Sequence, residues 1–267
     1  MLLEAKNIYK KYSSGFRIEN ISISLDKGES IAVMGKSGSG KSSLLRLLSQ
    51  MDAPDSGSVI YKGVEHSSAL LADLGYIFQF PERQLFEKTA ALDIAFALRH
   101  SGLSEDDVQE RVLDASRLSG FPDSLLHRNP FTLSGGEARK AALSGIYVKD
   151  PELFILDEAS AGLDPVSRER FMQTIMDFRG KGAGIIAATH SSDEAASFDK
   201  ILVLENGRSV FFGSVSDAFS SSEMARSVTL EPPFALAFSE KLRARGIDVP
   251  LTYREAELLA ALDMLNG

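Results

Sequence analysis

Polar and apolar residues alternate along Arg17-Ile18-Glu19-Asn20-Ile21-Ser22-Ile23-Ser24-Leu25. That is the period-two mark of a half-buried strand. The run Ser30-Ile31-Ala32-Val33-Met34 does not alternate and predicts a strand covered on both faces. It enters a glycine-rich stretch and then a predicted helix over Ser42–Leu48. Leu74-Gly75-Tyr76-Ile77-Phe78 reads as a further strand. From about residue 80 to 150 the period changes. Thr89–Arg99 and Glu105–Leu118 carry apolar residues at three- and four-residue spacing, as amphipathic helices do. Ser104, followed by Glu105-Asp106-Asp107, is the expected N-cap of the second. Short apolar strands return at Leu153–Leu156, Gly184–Ala188 and Ile201–Leu204, and Asn206-Gly207 between two apolar runs predicts a hairpin.

Strands alternating with helices predict an α/β fold, built on a mainly parallel sheet covered on both faces. Residues 1–213 are expected to form the main domain, with a helical subdomain over about 80–150. Residues 214–267 read as a small C-terminal helical appendage, broken at Pro232-Pro233 and Pro250. Leu258, Leu259, Leu262 and Leu265 fall at helical spacing. They suit either pairing with another subunit or packing back on the main domain.

The chain has 267 residues, 44% of them hydrophobic, which is enough to bury a sizeable core. No apolar run approaches the roughly 18–20 residues that span a bilayer. The segment Met1–Lys6 lacks the apolar stretch of a signal peptide. A cytoplasmic protein is expected, with any membrane role supplied by a partner. The absence of cysteine excludes disulfides, thiolate zinc sites and thiol nucleophiles. The net charge of −8, without a basic tail, argues against nucleic acid as a partner. A negative chain still binds a polyanion where backbone N–H groups and a lysine are focused on it.

Gly35-Lys36-Ser37-Gly38-Ser39-Gly40-Lys41-Ser42 matches the phosphate-loop pattern G-x-x-x-x-G-K-[ST]. Average residue usage gives about a one-in-a-hundred chance of such a match in a chain this long. Glycines let the backbone curl so that successive N–H groups cradle phosphate oxygens. The helix that follows, beginning Lys41-Ser42-Ser43, turns its positive end to the same oxygens. Lys41 is expected on the β- and γ-phosphates, and Ser42 on Mg²⁺. The strand Leu153–Leu156 ends in Asp157-Glu158. At the carboxyl end of a sheet strand, Asp157 is placed to hold Mg²⁺ and Glu158 to polarise the attacking water. The plain alternative is two solvated acids at a strand end.

Leu133-Ser134-Gly135-Gly136-Glu137 resembles the LSGGQ signature of ABC ATPases and precedes the acid pair, as in that family. The resemblance covers about residues 1–213 and implies the P-loop NTPase (RecA-like) fold with an N-terminal antiparallel β subdomain. It also implies that Ser134, Gly135 and Gly136 contact ATP held by a second subunit. Tyr12 resembles the aromatic that stacks on adenine, the alternative being a half-exposed strand tyrosine. Gln79 resembles the Q-loop glutamine that contacts Mg²⁺ and the attacking water. Ser160-Ala161-Gly162-Leu163-Asp164 resembles the D-loop, which crosses the dimer, and His190 resembles the switch histidine at the γ-phosphate. Two residues depart from the family pattern. Glu137 stands where glutamine is usual, and Ala159 where proline usually follows the acid pair.

Phe78-Gln79-Phe80-Pro81-Glu82-Arg83-Gln84-Leu85-Phe86 is similar to the Q-loop region of energy-coupling factor ATPases. Asp93–Phe96, Arg139–Gly145 and the tail Arg245–Pro250 fit the same family. The resemblance implies an ATPase homodimer, or a heterodimer with a paralogue. It also implies a membrane scaffold protein contacting about residues 80–98, and a substrate-binding membrane protein for a vitamin or transition-metal ion. Leu85, Phe86, Leu92 and Phe96 are candidates for the scaffold contact, or equally for the subdomain's own core. Other ABC importers or exporters, and non-transport ABC ATPases, are the alternatives.

Overall fold

The alternating segment forms strand β2 (Arg17–Leu25), antiparallel to β1 (Leu3–Lys11). Its alternation is interrupted: Ile18 and Ile21 both point inward. Asn20 adopts φ 52° and Asn7, in β1, φ 49°. These left-handed residues sit where the β1–β2 register shifts, so a bulge restores a continuous apolar face. The other strands are β3 (Ser30–Met34), β4 (Ser56–Tyr61), β5 (Val64–Glu65), β6 (Leu74–Ile77), β7 (Leu153–Asp157), β8 (Gly184–Ala188), β9 (Lys200–Glu205) and β10 (Arg208–Ser214). All ten join one sheet in the order β5-β4-β1-β2-β10-β9-β3-β8-β7-β6. The structure, a computed structural model, describes residues 1–65, 67–220 and 231–265.

Strands β6, β7, β8, β3 and β9 run parallel, so their carboxyl ends gather on one edge. Each is buried on both faces. Phe154, Leu156, Ile185, Ala187, Ile201 and Val203 enter one core. Their neighbours Leu153, Ile155, Ile186, Ala188, Leu202 and Leu204 enter the other. Helix α1 (Lys41–Leu48) lies on the second core together with β1 and β2. The β9–β10 turn is the predicted hairpin, with Asn206 at φ 47° and Gly207 at φ 79°.

The short helix α2 (Ser68–Asp73) leads into β6. Between β6 and β7 the chain forms α3 (Ala90–Ala95), α4 (Glu105–Ser119) and α5 (Gly135–Tyr147). The helix predicted over Thr89–Arg99 is shorter than expected. It starts with Thr89 as N-cap and tightens into a 3₁₀ turn at Phe96–Leu98. Ser104 caps α4 as expected, accepting from Asp107 N. Helix α6 (Pro165–Gly180) covers the sheet and α7 (Ser192–Ala195) follows β8. Beyond the sheet come α8 (Val215–Ser220), α9 (Phe234–Ala244) and α10 (Glu255–Leu265). Phe219 and Leu236 enter the first core. Leu258 is buried, Leu259 is 60% exposed and Leu262 is half-buried. The side chain of Leu265 lies outside the described residues.

Candidate functional site

Strand β3 ends at Met34 and the chain turns through Gly35–Gly40 into α1. Two glycines are demanded by this path. Gly35 has φ 148°, and a Cβ there would stand 2.4 Å from Leu204 O. Gly40, the N-cap, has φ 107°, and a Cβ there would stand 2.8 Å from the Phe16 ring. Gly207 N–H donates to Ser39 O at 2.8 Å, tying the loop to the β9–β10 hairpin. Lys41 is 5% exposed. Its Nζ donates to Gly35 O at 3.0 Å and to Lys36 O at 3.4 Å. The same nitrogen lies 3.2 Å from His190 Nε2 and 3.5 Å from Glu158 Oε1. Burial pushes the Lys41 ammonium down from its ordinary range, against the pull of Glu158.

Ser42 Oγ donates to Asp157 Oδ1 at 2.8 Å. Burial pushes the Asp157 carboxyl up, and the Ser42 hydroxyl partly offsets this. Glu158 is left-handed, with φ 53°. A non-glycine residue there costs on the order of 1–3 kcal/mol and persists only where its surroundings impose it. Here Glu158 N–H is held by Ala188 O of β8 at 3.2 Å. The turn directs the Glu158 carboxylate to His190, with Oε1 at 2.8 Å from Nε2. Gln79 is exposed in the loop after β6. Ile77 pairs with Leu156 in the parallel β6–β7 ladder, so Gln79 and Glu158 each lie two residues beyond that pair, at one edge of the sheet.

Tyr12 and Phe16 line one opening of about 470 Å³ with Gly40, Lys41, Ser43 and Glu158; Ser37 and Gly38 also border it. Lys36 and His190 border a neighbouring hollow. Ser134 caps α5 in a capping box with Glu137. Ser134, Gly135 and Gly136 are exposed. They are not part of the opening around Lys41. Gly135 and Gly136 border a separate cavity of about 400 Å³ beside Ala161, Gly162, Leu163 and Asp164. Asp164 caps α6, its Oδ1 accepting from Ser167 N at 3.0 Å.

Two residues given no role from the sequence hold the Ser160–Asp164 turn. Arg139 of α5 donates to Ala159 O and, at 3.3 Å, to Ala161 O. Glu194 of α7 accepts from Ser160 Oγ at 2.7 Å. Phe16, whose ring stands where a side chain at position 40 would have to go, is a third residue given no role from the sequence. Nothing in the local pattern distinguishes these three, because each acts through a segment remote in sequence. The polar residues thus fall into two groups: Lys41, Glu158 and His190 in mutual contact with the bonded pair Ser42–Asp157 next to them in the chain, and Ser134–Gly136, which do not line the opening around Lys41.

The ABC transporter family matches residues 18–161 of this chain. The energy-coupling factor transporter ATP-binding protein EcfA2 of Lactobacillus delbrueckii subsp. bulgaricus is 36% identical over 264 residues, covering 94% of this chain and 92% of that protein. The protein of the same name from Caldanaerobacter subterraneus subsp. tengcongensis is 33% identical, covering 96% of each. The chain belongs to the ATP-binding subunits of energy-coupling factor transporters, within the ABC family. It is an ATPase. Among solved structures, cbiO1 from Clostridium perfringens, part of the ABC transporter complex cbiONQ, superposes with TM-score 0.73 at 28% identity, covering 91% of this chain and 98% of that one. The ATP-binding cassette MJ0796, seen as a dimer bound to ADP and Pi, superposes with TM-score 0.72 at 22% identity, covering 80% of this chain and 99% of that one, and supports the fold.

Proposed function

We propose that this subunit hydrolyses ATP sandwiched between its own phosphate loop and the Ser134-Gly135-Gly136 segment of a second subunit. In this reading closure on ATP, and reopening after hydrolysis, drive a membrane scaffold that imports a vitamin or transition-metal ion. The observation that carries the proposal is the separation within one chain. Lys41, Glu158 and His190 are in mutual contact, whereas Gly135 and Gly136, at the exposed helix end, border a different cavity. A triphosphate gripped by both requires two chains.

The geometry supports the following individual roles. The loop N–H groups and Lys41 bind the phosphates and neutralise their charge. Glu158, held by its left-handed turn and by His190, accepts a proton from water and orients it toward the γ-phosphate. His190 and Gln79 flank that carboxylate and sense the γ-phosphate. Tyr12 supplies a face for adenine at the mouth of the opening. Ser42 and Asp157 offer hard oxygen donors, which suits Mg²⁺, a cation commonly held by one or two protein ligands plus substrate phosphates. When bound, Mg²⁺ supplies charge neutralisation between the phosphates.

Ser160–Asp164 form the crossing loop of the dimer. Residues 1–213 are read as the ATPase domain and 214–267 as its C-terminal appendage. Among the described residues no helix is long and apolar enough to cross a membrane. In this reading the subunit sits at the cytoplasmic face of the membrane, held there by its scaffold. Phe86, Leu92 and Phe96 are exposed and form the contact surface of the 80–98 segment, while Leu85 packs partly against the core.

The deciding experiment is sedimentation of purified Glu158→Gln protein with and without MgATP. Accumulation of a nucleotide-dependent dimer that Ser134→Ala abolishes is expected. A dimer indifferent to nucleotide, or to Ser134, would overturn the sandwich.

A further inference from the structure

The helix end assigned to the second subunit's nucleotide already carries an anion of its own. Ser134 N–H donates to Glu137 Oε2 at 2.8 Å. Ser134 Oγ donates to the same oxygen at 2.7 Å. Glu137 N–H donates in return to Ser134 Oγ, at 3.4 Å. The carboxylate thus lies over the first turn of α5, where the helix dipole and its free N–H groups favour negative charge. It also takes the single hydroxyl proton that Ser134 has to offer. A Cβ built on Gly135 or Gly136 meets nothing within 4 Å, so the same helix end opens to the surroundings.

A γ-phosphate arriving there meets two obstacles. Its charge is repelled by a carboxylate on the same helix turn, and the serine proton points at Glu137. Glutamine at this position makes the same capping box, because its side-chain oxygen also accepts from the N-cap N–H. It does so without a charge.

We propose that Glu137 is a built-in restraint on nucleotide-driven closure, an internal anion that competes with the γ-phosphate for Ser134 and the N-terminus of α5. This rests on the reading of Ser134-Gly135-Gly136 as the clamp on the second subunit's nucleotide. The restraint acts only on the site completed by this chain's signature segment. Nucleotide on this chain's own phosphate loop meets the other subunit's segment instead. Two identical chains therefore carry two restrained sites. Pairing with a subunit that lacks the acid produces one restrained site and one unrestrained, with turnover divided unequally between them.

The test uses the full chain in the Glu158→Gln background, titrated with MgATP and followed by sedimentation, with Glu137→Gln and Ser134→Ala added separately. Glu137→Gln is expected to lower the ATP concentration at half-maximal dimerisation by about tenfold, the scale of one uncompensated like-charge contact. The gap is expected to narrow as salt is raised from 0.05 to about 1 M, because screening weakens the repulsion in the parent protein. The melting temperature without nucleotide is expected to fall slightly and not to rise, since the cap survives but the charge favoured by the helix end is lost. If Glu137→Gln leaves the midpoint unmoved or raises it while Ser134→Ala abolishes dimerisation, the restraint is overturned and the clamp stands. If neither variant alters dimerisation, the clamp itself is wrong and the restraint falls with it.

Discussion

His190 Nε2 and Glu158 Oε1 stand 2.8 Å apart, with Lys41 Nζ within 3.5 Å of both. The carboxylate is thus fixed between an imidazole and an ammonium at the edge of the sheet. Glu158→Gln keeps the shape and removes the base. It is expected to lower kcat by about 10²–10⁴-fold while ATP still binds. Steady-state hydrolysis set beside nucleotide binding by fluorescence checks this; wild-type turnover would remove Glu158 from its role.

Arg139 bridges α5 to the turn after the acid pair through two backbone carbonyls. Lysine cannot reach both, having one nitrogen where arginine has a fork. Arg139→Lys is expected to cost about 1–3 kcal/mol, the range for a buried polar group left unpaired. It should slow hydrolysis more than it weakens ATP binding. Denaturant melts and a kcat-against-KM comparison report the two effects separately.

Glu194 is raised above the ordinary carboxylate range, chiefly by burial, with the Ser160 hydroxyl opposing. The native state therefore holds this proton more tightly than the unfolded chain does. Its contribution to stability is complete below the ordinary carboxylate range and is lost as pH rises through the raised native value. Glu194→Gln is expected to remove that loss and to stabilise the nucleotide-free protein at pH 7. Melting temperatures recorded from pH 4 to 8 should show the variant's gain over wild type growing as pH rises. A variant less stable than wild type at pH 7 refutes the assignment.

Phe86 packs edge-on against Phe96, ring centroids 4.8 Å apart at 85°, and both are exposed. Phe86→Asp is expected to cost no more than about 1.5 kcal/mol of stability, the value of such an aromatic pair. ATP binding by the isolated subunit should survive. Recovery of the subunit with membranes is expected to drop sharply, and fractionation of wild-type and variant cells measures it.

Phe154 is fully buried, 4.9 Å from the Phe178 ring and 6.3 Å from Tyr147. Phe154→Ala is expected to destabilise the domain by about 3–5 kcal/mol through lost contacts and a cavity. Urea unfolding provides the measurement.

Much of this molecule was legible locally. The buried strands Ser30–Met34 and Gly184–Ala188, the Asn206-Gly207 hairpin and the Ser104 cap each depend on residues within a few positions of one another. The phosphate loop belongs to the same class, since its glycines and Lys41 act where the chain places them in sequence. The Lys62-Gly63 turn between β4 and β5 was not anticipated, although Lys62 at φ 49° and Gly63 at φ 81° make it a left-handed turn. Lysine is an uncommon choice there, so the pattern offered no cue.

The residue order determined which segments are strands and helices, and it placed a glycine-rich loop before α1 and two acids at the end of β7. Only the folded chain decided that β7 lies between β6 and β8, so that Ala188 O holds Glu158 in its left-handed turn and His190 meets its carboxylate. The tertiary structure likewise decided that Arg139 and Glu194 grip the Ser160–Asp164 turn, and that Gly135 and Gly136 border a cavity other than the opening around Lys41. Local preferences act over a few bonds and are written in neighbouring residues. Contacts between positions 20 to 150 apart depend on how the sheet orders its strands, and no short stretch of sequence encodes that.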